Sequence, residues 1–184
     1  SHLITHPFFE EYKHLIETEQ ILVNKERKLL IKILEENVLS RDDIYFDTDL
    51  IDKYIRFSEK WFFPLARYQK FITPFIFLYF KKNNEPFFNE FLITLARGGG
   101  KNGFMSTRDA FFISPLYPVM NYDVTITANS EKQGKVSFEE VYETIQSKGL
   151  EKTYYLTKMQ IIGIKHNSVF SFRTNNPKNQ THPT

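Results

Sequence analysis

The stretch LITLARGGGKNG, Leu92–Gly103, limits what this chain can fold into more than any other. An apolar run ends in Gly98, Gly99 and Gly100, and Lys101 follows at once. Consecutive glycines let the backbone turn through conformations closed to other residues, so that its amides can curl round an anion. With a strand before it and a helix after it, such a turn belongs to a parallel α/β sheet, where the helix N-terminus adds its dipole. The polyphosphate-holding pattern reads G-x-x-x-x-G-K-[ST]. Gly100 and Lys101 match its invariant pair, whereas Leu95 fills the first-glycine position and Asn102 the hydroxyl position. On this reading Gly98, Gly99, Gly100 and Gly103 form the cradle, and Lys101 reaches the β and γ phosphates of ATP. Asn102 offers Mg²⁺ a neutral amide oxygen, and Arg97 stabilises charge on the transferring phosphate. The alternative is a tight glycine turn with an incidental lysine, and Arg97 paired to a surface carboxylate.

The elements around this loop agree with it. Phe8, Phe9, Tyr12, Leu15 and Ile16 recur at helical spacing. The segment 24–37 predicts a helix capped by Asn24 that buries Leu29, Leu30, Ile33 and Leu34, and 47–61 predicts a third with Asp47 or Thr48 as cap. Residues 63–84 read as one nearly continuous apolar helix, kinked or split at Pro74. Phe87–Ala96 and Asp123–Ser130 read as strands and Phe104–Ile113 as a helix. Asn129-Ser130 caps a further helix over Glu131–Gly149, and Tyr155–Ile164 with Ser168–Thr174 predict a hairpin turning at Lys165-His166-Asn167. The tail from Asn175 has no periodicity. Strand, loop, helix, strand, helix implies a parallel sheet with right-handed crossovers. The expected fold is therefore α/β, a P-loop NTPase-type parallel sheet flanked by helices, with a helical region at 1–60 and a partial P-loop domain at 61–184.

Composition excludes several other classes. The chain has 184 residues, no cysteine, and 19 Phe with 10 Tyr, which rules out global disorder and any thiolate or disulfide chemistry. Its five histidines are scattered without ligand spacing. The longest apolar run, Phe71–Phe80, is about half the ~20 residues a bilayer span needs. Glu10, Glu11 and Glu17 fall where a signal peptide would be apolar. Residues 1–60 carry 9 basic and 13 acidic side chains, and the remainder 15 and 9. The basic excess could meet phosphate, although six charges are few beside a typical nucleic-acid-binding domain.

Upstream of the loop, PLARYQKF holds a second candidate. Gln69 is a donor–acceptor amide able to pair with an adenine edge, and Tyr68 or Phe71 offers a stacking face. Alone this is the start of an amphipathic helix; ahead of a phosphate loop it reads as a base-binding element.

LARGGGKNG, with PLARYQKF before it and VTITANSEKQGKVSFEEV after it, resembles the large terminase subunit of tailed bacteriophages, and the likeness spans nearly the whole chain. Loops of that family commonly lack the first glycine and carry an arginine two residues later, where Arg97 stands; Asn102 is a rarer variant. The resemblance implies an ATPase motor that packages double-stranded DNA into proheads in the host bacterial cytoplasm. Its expected partners are the phage portal protein and the small terminase subunit, in a homo-oligomeric ring and without a membrane. It gives Lys101 and Arg97 the catalytic roles and Gln69 the adenine, with Gln133 structural or facing DNA. An acidic strand end for Mg²⁺ is also implied, yet none of Asp109, Asp123, Glu131, Glu139, Glu140, Glu143 and Glu151 ends an apolar strand. The chain is therefore expected to be an N-terminal piece, inactive alone, that stops before that strand. The alternatives are a non-catalytic nucleotide-binding or assembly module and a helicase-like translocase.

Overall fold

Helices open the chain where the apolar periodicity places them. The structure, a computed structural model, describes residues 2–88, 102–128 and 131–174. Helix α1, Pro7–Glu17, has Pro7 in its first turn, where no amide partner is lost, and His6 Nδ1 accepts the Phe8 N–H at 3.1 Å. Helix α2, Lys25–Asn37, is capped as expected, with Asn24 Oδ1 accepting the Arg27 N–H at 2.8 Å. Its inward face differs from the expected one. Ile31 and Leu34 are buried, while Leu29 and Ile33 remain 55% and 42% exposed. Ile31, Leu34 and Val38 follow three- and four-residue spacing into the core, and Arg27 and Glu35 on the same side are tied to Tyr12 and Lys13 of α1.

Strand β1, Ile44–Phe46, precedes helix α3, Thr48–Phe57, whose first turn is held by Asp47 Oδ1 accepting the Leu50 N–H at 3.1 Å. A five-residue π-helical run, Ser58–Phe62, continues it through Trp61. The expected long helix after residue 63 is shorter. Helix α4 spans Arg67–Ile76, and Pro74 lies in its last turn rather than kinking its middle. The Phe77 N–H folds back onto the Pro74 carbonyl at 3.1 Å, and Leu78–Phe80 leave as strand β2, antiparallel to β1 with Ile44 opposite Phe80. A continuous apolar run cannot reveal such a switch, because periodicity is silent where every position is buried.

Helix α5, Asn102–Phe112, strand β3, Asp123–Ala128, and helix α6, Glu131–Ser147, stand where the sequence puts them. Strands β4, Tyr154–Leu156, β5, Gln160–Gly163, and β6, Ser168–Thr174, complete a sheet ordered β3-β6-β5-β4. β6 runs parallel to β3 from Asp123 opposite Val169, but antiparallel to β5, which is antiparallel to β4. Among the described residues the sheet is thus mixed, and the expected parallel arrangement holds at one pair. The α6 crossover is long enough to return the chain parallel, whereas the short turns on either side of β5 permit only antiparallel neighbours. The single strand expected over Tyr155–Ile164 is broken by a turn in which the Gln160 N–H donates to Thr157 Oγ1 at 2.9 Å. Of the strand expected at Phe87–Ala96, Phe87 and Phe88 lie outside any strand, and the rest falls outside the described residues.

Two compact units result, along bounds other than 1–60 and 61–184. One comprises Ser1–Asp52 with Leu65–Gly99, the other Lys53–Pro64 with Gly100–Thr184. Residues 65–88 fall in the first because α4 packs on α1 and β2 pairs with β1. The core of that unit is aromatic: Phe71 stacks on Tyr12 and Phe9 with centroids 4.7 and 5.7 Å apart, and Phe75 meets Phe46 edge-on at 5.6 Å. No helix among the described residues is long and apolar enough to cross a membrane.

Candidate functional site

Arg97, Gly98, Gly99, Gly100 and Lys101 lie outside the described residues, as does Asn129-Ser130. Asn102 and Gly103 form the first two residues of α5, so a helix begins directly after the glycine-rich stretch.

The helix that leaves the loop is braced along its length within its own unit. Buried Tyr54 of α3 donates its hydroxyl to the Phe104 carbonyl at 3.4 Å, and its ring meets Phe111 edge-on at 5.3 Å. Tyr154 of β4 donates to the Ala110 carbonyl at 2.8 Å. Burial raises both phenols well above their usual range, so both hydroxyls remain donors. At the far end β5 approaches so closely that a Cβ on Gly163 would stand 1.7 Å from the Ile113 carbonyl oxygen. Only glycine fits there.

Polar groups are buried on this helix as well. Ser106 and Thr107 are fully buried, and Asp109 is 2% exposed. Burial pushes the Asp109 carboxyl up to about 6, against the opposing pull of Arg108, whose Nη2 stands 3.8 Å away. The Arg108 Nε is buried without a hydrogen-bond partner among the described residues. Glu140 of α6 is raised by burial, an effect countered by a hydrogen bond with Ser106 and supported by nearby Glu143. Sequence reading missed this cluster, because a helix of mixed composition gives no sign of which polar residues turn inward. No group of three or more acidic or histidine side chains among the described residues could hold a metal.

The base-binding candidates sit in the other unit. Gln69 is buried, and its Oε1 accepts the Ala66 N–H at 2.9 Å. That is half a capping box: the third helical residue reaches back to the cap, where Ala66 has no side-chain acceptor to reciprocate. Gln69 therefore secures the start of α4, and its carbonyl oxygen is already engaged. Tyr68 is half-buried, and the Arg27 guanidinium lies over its ring, 3.9 Å from the centroid. Burial raises the Tyr68 phenol, with Arg27 opposing. Phe71, offered as an alternative stacking face, is wholly buried in the aromatic core and unavailable to a ligand. The expected turn at Lys165-His166-Asn167 joins β5 to β6 and is pinned by the Asn121 N–H donating to the His166 carbonyl at 2.8 Å.

No family model matches the sequence, and no curated protein matches it. Among solved structures, the fold is similar to that of the HK97 bacteriophage large terminase, with a TM-score of 0.52 and 15% sequence identity. The likeness covers 72% of this chain and 29% of the terminase chain, so this chain spans less than a third of that protein's length. At this identity the comparison establishes architecture and nothing finer, and on that basis the chain has an α/β fold of the large-terminase type.

Proposed function

We propose that the chain is the ATP-binding region of a DNA-packaging motor of the terminase type. The observation that carries the reading is the terminase-like fold over 72% of the chain. The sequence GGGK directly ahead of α5 supports it. In this reading the amides of Gly98–Gly100 and Gly103 hold the polyphosphate, Lys101 neutralises the β and γ oxygens, and Arg97 stabilises charge as the γ-phosphoryl leaves. Mg²⁺ enters with the nucleotide, and Asn102 is the residue this chain offers it. Tyr68 and Gln69 belong to the base-binding segment. Double-stranded DNA, a portal protein, a small terminase subunit and a homo-oligomeric ring are the partners that follow from a packaging role, and the host bacterial cytoplasm is its place.

A second reading, a nucleotide-binding or assembly module without hydrolysis, is favoured by Asn102 in place of the usual hydroxyl. A helicase-like translocase shares the loop and differs in the domain that accompanies it. The deciding experiment measures Mg²⁺-dependent ATP binding and hydrolysis on the whole gene product, beside Lys101→Ala. Hydrolysis that falls by a factor of about 100 or more in the variant supports the motor. Metal-dependent binding without hydrolysis selects the second reading, and binding indifferent to Lys101→Ala sinks both.

A further inference from the structure

Helices α1 and α2 are capped by the same kind of bond, made with different atoms. On α2 the acceptor is the Asn24 amide oxygen, 2.8 Å from the Arg27 nitrogen, and an amide does not titrate. On α1 it is the ring nitrogen Nδ1 of His6, 3.1 Å from the Phe8 nitrogen. A backbone N–H can only donate, so Nδ1 is the bare nitrogen and the ring proton sits on Nε2. Protonating the ring puts a hydrogen on both nitrogens, and no rotation of it then restores an acceptor. The residue is 5% exposed, its ring packed against Phe8 at 4.9 Å and edge-on to Phe46 of β1 at 5.9 Å. Neither neighbour brings a charge. Glu10, the acid in the first turn of α1, is engaged by the Thr5 hydroxyl at 2.6 Å. Burial holds the imidazole below its ordinary 6.5, and the Asp52 carboxylate on α3 opposes this without reversing it.

We propose that His6 makes the start of α1 a proton-operated latch, in which the neutral ring holds the first turn closed and the imidazolium releases it. The folded state binds this proton less well than the unfolded chain does. The stabilisation is therefore complete above the ordinary 6.5 and is lost as the pH falls below it. The released stretch is bounded: Leu3 and Ile4 donate to the Leu39 carbonyl at 2.8 and 3.1 Å on one side, and Phe9 and Tyr12 are buried on the other. The latch loosens one turn and leaves the aromatic core shut. It lies within the first unit and is independent of the nucleotide reading.

The test follows amide exchange by NMR from about pH 7.5 to about pH 5, corrected for the intrinsic rate. Protection at Phe8, Phe9 and Glu10 should fall roughly five- to tenfold, the usual effect of a lost cap, while Arg27 and the first turn of α2 hold constant. His6→Asn, which accepts but cannot titrate, should keep α1 protection level across the range, and His6→Ala should leave it low throughout. If His6→Asn fails to fold, the ring nitrogen shifts of the wild-type protein carry the conclusion. A bare Nδ1 at about pH 7.5, protonated in step with the loss of α1 protection, supports the latch. A proton already on Nδ1 at that pH overturns it. So does an equal response of α1 and α2, or a His6→Asn protein that loses α1 protection as the wild type does.

Discussion

The two units bury a central helix by different chemistry. In the first, α4 presents Phe71, Ile72, Phe75 and Ile76 to a cluster of rings, and its charged groups stay at the rim. There Glu35 accepts from Lys13 at 2.7 Å, and the hydrogen bonds from Lys13 and His2 outweigh burial to hold its carboxyl below the usual range. In the second unit, α5 carries Ser106, Thr107 and Asp109 into the interior, and tyrosine hydroxyls donate to its backbone. The core of the first unit is apolar and aromatic area, which has no pH dependence of its own, and its ion pairs, such as Lys13–Glu35, lie at the rim. The second depends on protonation and on hydrogen bonds of fixed geometry.

The largest effect that would test this contrast is Phe71→Ala. It removes a fully buried ring that touches Phe9, Tyr12, Tyr68 and Phe75, and should cost about 3–5 kcal/mol in urea denaturation. Hydrogen exchange should show α1 and α4 losing protection ahead of α5 and α6. Simultaneous loss would show that the two cores are one cooperative unit, and the contrast would fail.

Asp109 comes next. Its carboxyl titrates near 6 when folded against an ordinary 3.8, so the folded state holds the proton more tightly than the unfolded chain does. Stability should therefore rise as pH falls from about 6 to about 4, and above 6 the buried charge costs on the order of 3 kcal/mol. Arg108 Nη2 stands 3.8 Å from it, and the Asp109 charge is felt at the Tyr54 phenol. Asp109→Asn should flatten this slope in denaturation curves taken across that range. An unchanged slope would assign the pH dependence elsewhere.

The smallest effect sharpens the comparison within α5. Tyr154→Phe removes a 2.8 Å bond to Ala110, and should cost about 1 kcal/mol in denaturant midpoint. Tyr54→Phe removes a bond of 3.4 Å and should cost less. Equal losses would mean that ring packing rather than hydroxyl geometry braces the helix.

Much of this fold is legible in the residue order. The amphipathic stripes of α1 and α6, the caps at Asn24 and Asp47, and the alternation through β3 and β6 act over a few residues, so local spacing specifies them. Tertiary structure decided the rest. Whether Leu78–Phe80 continue a helix or turn into a strand depends on pairing with Ile44–Phe46, more than thirty residues away, because both conformations bury the same apolar run. Which face of α2 turns inward was set by the tethers of Arg27 and Glu35 to α1. Gln69 and Tyr68 show the same limit at the candidate site. Their chemistry can be read from the sequence, but the Ala66 amide that occupies one and the guanidinium that covers the other come from through-space neighbours. Short-range order determines which elements form; which side chains are left available to a ligand is a property of packing, since it depends on groups the chain brings together only when folded.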